Sequence, residues 1–313
     1  MLRSPPAALA AAAAAVTSLA LVAAGAVAAA AHGADVAVAG STVHVEFDRD
    51  AFSDSPAVLV WVRRAADIVA HYYGRFPAAA LTLRIVAVPG EGVHGGQTFA
   101  DPDPFIRIRL GREVTEAQLL SDWVLVHEMT HLAAPDTGEM HAWLSEGLAT
   151  YVEGVARVQA GNRSEADVWA EQMRAMPQGL PRSGDHGLDH THSWGRTYWG
   201  GAMFCLMADV DIRRKTHDAR GLQDAVRAIA RASGGLRSEW PIERVLATGD
   251  AAVGTTSLED LYARMKDSAY MPDLVALWRE LGVVADGDAV RLTDEAPLAG
   301  VRHAIMTGTK PRS

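Results

Sequence analysis

The chain of 313 residues contains one cysteine, Cys205. A lone thiol excludes an intramolecular disulfide and a Cys-rich zinc ribbon. Positive charge is sparse: 29 Lys and Arg face 38 Asp and Glu, the net charge is -9, and no basic run is longer than Arg213-Arg214-Lys215. Phosphate backbones are bound by clustered cations, so no nucleic-acid partner is expected. No internal repeat occurs. What is present is the balance of a folded protein, with 49% hydrophobic and 21% charged residues, in a length that holds one large domain or two lobes.

Arg3 is the only charged residue before His32, and the apolar run behind it ends in the small residues Ala26 to Ala31. A basic start, an apolar stretch and several small-x-small sites read as a secretory signal peptide over residues 1–31, which would export the rest to a periplasmic or extracellular space. The rival reading is an uncleaved membrane anchor, because the run from Ala7 to Ala31 is long enough to span a bilayer. Alanine is only weakly lipophilic, which favours cleavage. A membrane association is expected only if this segment stays attached.

Residues 32–114 mix period-two alternation with one helical stretch and read as an α+β lobe with a small mixed sheet. Val43, Val45 and Phe47 alternate with polar neighbours, and Leu81–Val88 and Phe105–Leu110 are further strand candidates. Ser55-Pro56 opens a helix that Gly74 closes. Residues 115–281 read as mainly helical, beginning at a capping box formed by Thr115 and Gln118. Helices are expected over 115–134, 139–159, 164–176, 196–217, 220–232, 257–267 and 272–281. Residues 282–313 form a tail with a hairpin signal at Asp286-Gly287.

The chemistry-bearing segment is His127-Glu128-Met129-Thr130-His131. Four-residue spacing on a helix puts both imidazoles on one face, one turn apart, so that two nitrogens can meet one ion. Glu128 projects beside them, placed to hold and deprotonate a water at the metal without being a ligand. Zinc suits imidazole and an open fourth position. Glu139, His141, Glu146 and Glu153 all follow closely, but Glu146 sits within the apolar helical run Trp143–Val152, where a carboxylate needs a partner such as a cation. The turn Pro135-Asp-Thr-Gly138 lets the second helix pack back on the first, and Gly147 would allow close backbone approach.

The pairing of this motif with Trp143-Leu-Ser-Glu-Gly-Leu-Ala149 and the following Tyr151 resembles the gluzincin zinc metallopeptidases, and Tyr198-Trp-Gly-Gly-Ala-Met with Leu206–Thr216 is similar to the tyrosine-bearing helix of their glycyl-aminopeptidase-like branch. The resemblance covers roughly residues 90–235. It implies a thermolysin-like catalytic domain with one zinc per chain in the cleft between the lobes. His127, His131 and Glu146 would be the ligands, Glu128 the general base and Tyr198 the oxyanion donor, with a peptide or protein as substrate. The sequence departs from the pattern in two places. Only 14 residues separate His131 from Glu146, a shortened connection, and nothing matches the Gly-x-Met-Glu-Asn segment that holds a free amino group in aminopeptidase-N-like enzymes. Val93–Phe99 stands in its place as an edge strand along which a peptide can pair. Ala134 and Thr137 occupy the positions of the metzincin Gly and third His, which excludes that pattern.

His186, His190 and His192 crowd one polar loop and offer a second metal site, although such loops are more often simply solvated. Cys205 reads as a buried inert thiol, Met173 and Met176 as packing, and Thr150 as either a hydrogen-bond partner for a ligand histidine or an ordinary helix-surface residue. Tyr198 has its own packing alternative, a core aromatic beside Phe204, Leu206 and Met207. Two rivals to an active peptidase are a catalytically inactive zinc-binding scaffold and a membrane-tethered interaction domain. An intact Glu128 argues against the scaffold, because binding zinc requires only the other three residues.

Overall fold

The computed structural model describes residues 33–48, 52 and 55–308. The leader expected over residues 1–31 lies outside them. The N-terminal part is a mixed five-stranded sheet in the order β1-β2-β3-β5-β4, formed by β1 (Gly33–Val38), β2 (Ser41–Phe47), β3 (Ala80–Val88), β4 (Val93–Phe99) and β5 (Phe105–Gly111). β1 pairs antiparallel with β2, β2–β3 and β3–β5 are parallel, and β4 returns antiparallel to β5 as the edge strand.

The parallel β2–β3 pair needs a crossover, which is α1 (Pro56–Tyr73), with Pro at its start and Gly74 in the left-handed conformation at its end. Val43, Val45, Leu81, Leu83, Ile85, Ile106, Ile108 and Leu110 point to one buried face of the sheet, as period-two alternation requires. Val58, Trp61, Val62 and Ala66 from α1 join the same core.

The remainder is mainly helical: α2 (Glu116–Ser121), α3 (Val124–His131), α4 (Ala142–Gln159), α5 (Glu165–Ala175), α6 (Gly201–Thr216), α7 (Leu222–Ser233), α8 (Ile242–Val253), α9 (Ser257–Met265), α10 (Leu274–Leu281) and α11 (Ala299–Thr307). β6 (Val283–Asp286) and β7 (Ala289–Leu292) form a hairpin turned through Gly287. The class is α+β, as the alternation and helical periods indicate. No described helix is long and apolar enough to cross a membrane.

The structure differs from the sequence expectation at several elements. The helix expected over 115–134 is broken at Asp122, whose backbone is extended (ψ 138°). The helix expected over 196–217 begins as a wide π-turn at Arg196–Gly200 before α6. β1, α8 and α11 have no counterpart in the sequence reading.

Candidate metal centre

Asp122 accounts for the local start of α3. Its carboxylate accepts the backbone N–H groups of Val124 (3.0 Å) and Leu125 (3.1 Å) and the indole N–H of Trp61 (3.0 Å). These bonds satisfy amides that a helix start leaves open and anchor the helix to α1. Burial pushes the Asp122 carboxyl up, and the bonds from Leu125, Val124 and Trp61 oppose that rise. Leu125, Val126 and Met129 are buried along the helix. His127 and His131 fall on a common face, their rings 5.0 Å apart and edge to face.

α4 brings Glu146 to them. Gly147 packs directly against Gly201 of α6, and a methyl group on either residue would collide with the other helix's backbone. The close approach anticipated for Gly147 is therefore made to α6. Glu146 Oε2 lies 3.1 Å from His127 Nε2 and 3.6 Å from His131 Nε2. One ligand atom from each of the three residues lies within 4.8 Å of the other two, and this is the only such group of metal-binding side chains among the described residues.

The chemistry of this donor set fits a zinc ion. A carboxylate oxygen facing two imidazole nitrogens needs positive charge between them, supplied by protons or by a metal. Burial resists ionisation of Glu146, but the hydrogen bonds of His127 and His131 outweigh it and hold the carboxyl well below the usual carboxylate range. Burial likewise lowers His131, yet Glu146 and then Glu128 raise it above its ordinary value. His131 Nδ1 is 2.9 Å from Ser145 Oγ, which leaves Nε2 to face the cluster. His127 Nδ1 is buried without a hydrogen-bond partner. Its ring is held instead by packing, edge to face with Trp123 at 5.6 Å and stacked with Tyr198 at 6.2 Å.

Glu128 stands apart from the three ligand atoms and is 8% exposed. Thr98 Oγ1 lies 2.6 Å from Glu128 Oε2 and 3.0 Å from the Glu128 carbonyl, within donating distance of both. Gly96, two residues earlier and hence on the same face of β4, gives the Glu128 side chain its room, since a Cβ there would lie 2.5 Å from Glu128 Cγ. The edge strand and the motif helix are thus fitted to each other at this carboxylate.

Tyr198 sits on the π-turn, half-buried, with Trp194 also stacked on it at 5.6 Å. Burial, then the charges of Glu146 and Glu128, push its phenol well above the ordinary tyrosine range, so the group is a neutral donor. The turn is fixed by Arg196, whose guanidinium pairs with Asp185 and donates to the Gly179 carbonyl at 2.7 Å.

The other candidates lie outside this group. Glu139 is exposed. His141 Nδ1 is 2.9 Å from the Thr137 carbonyl, and Glu153 pairs with Arg157 at 2.8 Å. His190 pairs with Asp267 at 2.8 Å. Thr150 donates to the Glu146 carbonyl at 2.7 Å rather than to a histidine. Cys205 is buried, and burial pushes its thiol up. Thr98, Ser145, Asp122 and Trp123 went unassigned in the sequence; Ser145 and Trp123 lay within or beside the quoted motifs, but nothing marked their contacts.

No family model and no curated protein matches the sequence. Solved structures do match. An aminopeptidase N family protein from Idiomarina loihiensis superposes with a TM-score of 0.60 at 13% identity, over 84% of this chain and 52% of that one. An M1 zinc metallopeptidase from Deinococcus radiodurans gives 0.51 at 14% identity, over 77% of this chain and 52% of that one. The chain therefore spans about half the length of these structures. At such identities the likeness is one of fold, and the fold of this chain is that of the M1 peptidase-like proteins.

Proposed function

We propose that the chain is an exported peptidase holding one zinc ion on His127, His131 and Glu146. The observation that carries the reading is the convergence of those three donors, with the Glu128 carboxylate held by Thr98 just outside the set. Zinc, when bound, supplies a Lewis acid that polarises a peptide carbonyl and lowers the pKa of a water at its open position.

The chain's own residues do the rest. Glu128 takes the proton of the attacking water and passes it to the leaving amine. Tyr198, kept neutral by burial and by its carboxylate neighbours, donates to the oxyanion that forms on the carbonyl. The edge strand β4 offers unpaired backbone groups to an extended peptide beside Glu128.

Zinc content by mass spectrometry of the purified protein and of His127→Ala and Glu146→Ala tests the ligand set. One zinc per chain, strongly reduced in both variants, is the expected outcome. Full retention in Glu146→Ala would contradict the assignment of the third ligand.

A further inference from the structure

A half-enclosed pocket of about 210 Å³ lies beside the donor cluster, lined in part by His127 and Tyr198. It is smaller than the roughly 300–1,000 Å³ of drug-sized ligand sites and suits one side chain. Trp123, Trp194, Trp199 and Val168 also line it. Trp123 stands edge to face with His127, and Trp194 is stacked with Tyr198, each at 5.6 Å. Two of the three indoles are thus packed against groups of the candidate site itself.

The carboxylates and the hydroxyl of the lining are already engaged. Glu153 pairs with Arg157 at 2.8 Å, Glu171 pairs with Arg163, and Thr150 donates to the Glu146 carbonyl at 2.7 Å. The Gln172 amide oxygen is buried and has no surface to offer a ligand. A charged group entering here would leave water without a free counter-ion, which is costly. An apolar group gives up no hydrogen bond and gains the indole faces.

The pocket can be reached from solvent. It shares Trp123, Glu171 and Trp199 with an open basin of about 1200 Å³. Along that basin Trp123 is 45% exposed and Leu120 49% exposed, so apolar surface leads from solvent to the donor cluster.

We propose that this pocket receives a large apolar side chain, leucine or phenylalanine in size, of a peptide substrate next to the scissile bond. A carbonyl held between the donor cluster and the Tyr198 phenol puts a flanking side chain at the wall that His127 and Tyr198 form. Trp123 and Trp194 then act as specificity-determining residues. This assignment rests on the peptidase reading above, since only that reading puts a peptide beside His127.

The test pairs a cleavage measurement with a binding measurement. A peptide library digested by the zinc-loaded protein should show large apolar residues enriched at one position flanking the cleaved bond, with kcat/KM for Leu or Phe roughly a hundredfold above Ala. Thr150→Leu, which fills the pocket from α4, should shift that position towards Gly and Ala while their cleavage persists. Trp123→Ala, at the exposed wall, should lower kcat/KM for the Leu and Phe peptides about tenfold with zinc content unchanged. Separately, calorimetry on zinc-loaded Glu128→Gln should show Nα-acetyl-phenylalanine amide and Nα-acetyl-leucine amide binding more tightly than the alanine, lysine and glutamate counterparts. Adding Thr150→Leu or Trp123→Ala should weaken that binding.

Cleavage with a preference for small, basic or acidic side chains would overturn the pocket assignment and leave the peptidase reading standing. So would an apolar preference that neither variant changes. If no peptide is cleaved, the peptidase reading falls, and the amides alone decide the pocket: apolar binding weakened by either substitution supports it, and absent or unaltered binding overturns it.

Discussion

Tyr198 is stacked with both His127 and Trp194, where a phenol can act in chemistry or in packing. A donor to the oxyanion acts mainly in the transition state, so Tyr198→Phe should lower kcat about a hundredfold, equivalent to about 3 kcal/mol, with little change in KM or zinc content. Wild-type turnover would reduce Tyr198 to packing. On the proposed mechanism Thr98 positions Glu128. Steady-state kinetics of Thr98→Val should show kcat about tenfold lower with KM and zinc retained, because a hydrogen bond to a charged group is removed, and Thr98→Ser should restore most of the rate. Equal rates in both variants would mean that Glu128 is aligned by α3 alone. His127 and His131 were legible because four-residue helical spacing alone puts them on one face, and Glu128 because it stands beside His127 in the same motif. Thr98 and Ser145 were not, because a single hydroxyl follows no period, and each acquires its role only when β4 or α4 is laid against α3.

The elements show the same division between local pattern and tertiary contact. The apolar periodicity before His127 runs continuously into α3, so it predicts one helix. The break at Asp122 arises because its carboxylate binds the first amides of α3 and the Trp61 indole, and no local rule calls for Trp61. Asp122→Ala should therefore destabilise the fold by about 1–2 kcal/mol, the usual worth of an N-terminal helix cap, read as a lower urea midpoint. An unchanged midpoint would show that packing alone starts α3. α8 carries Gly249-Asp250 in its last turns, residues with little helical preference of their own. In the fold Gly249 makes room for Leu258, and Asp250 accepts the Leu258 (3.0 Å) and Glu259 (2.9 Å) amides at the start of α9. The π-turn at Tyr198 has no sequence signature either, whereas the hairpin follows from the Asp286-Gly287 turn chemistry.

At the scale of the molecule, the sheet places its open edge β4 against the motif helix, and the helical part brings α4 and the π-turn to the other side of the donor cluster. The two halves of the sequence thus contribute complementary parts: a strand edge with Gly96 and Thr98 from one, the three converging donors and Tyr198 from the other. Export is a separate matter, decided by the mature N-terminus: loss of residues up to about Ala31 is expected, and a full-length chain in the membrane fraction would favour the anchor. The central claim is that Glu128 moves protons while His127, His131 and Glu146 hold zinc. It is tested most directly by measuring zinc content and peptide cleavage side by side in the wild-type protein and Glu128→Gln. The account predicts one zinc per chain in both and cleavage in the wild type alone, since the base is not a ligand. A Glu128→Gln protein that cleaves the same peptides at the wild-type rate with zinc in place would contradict it.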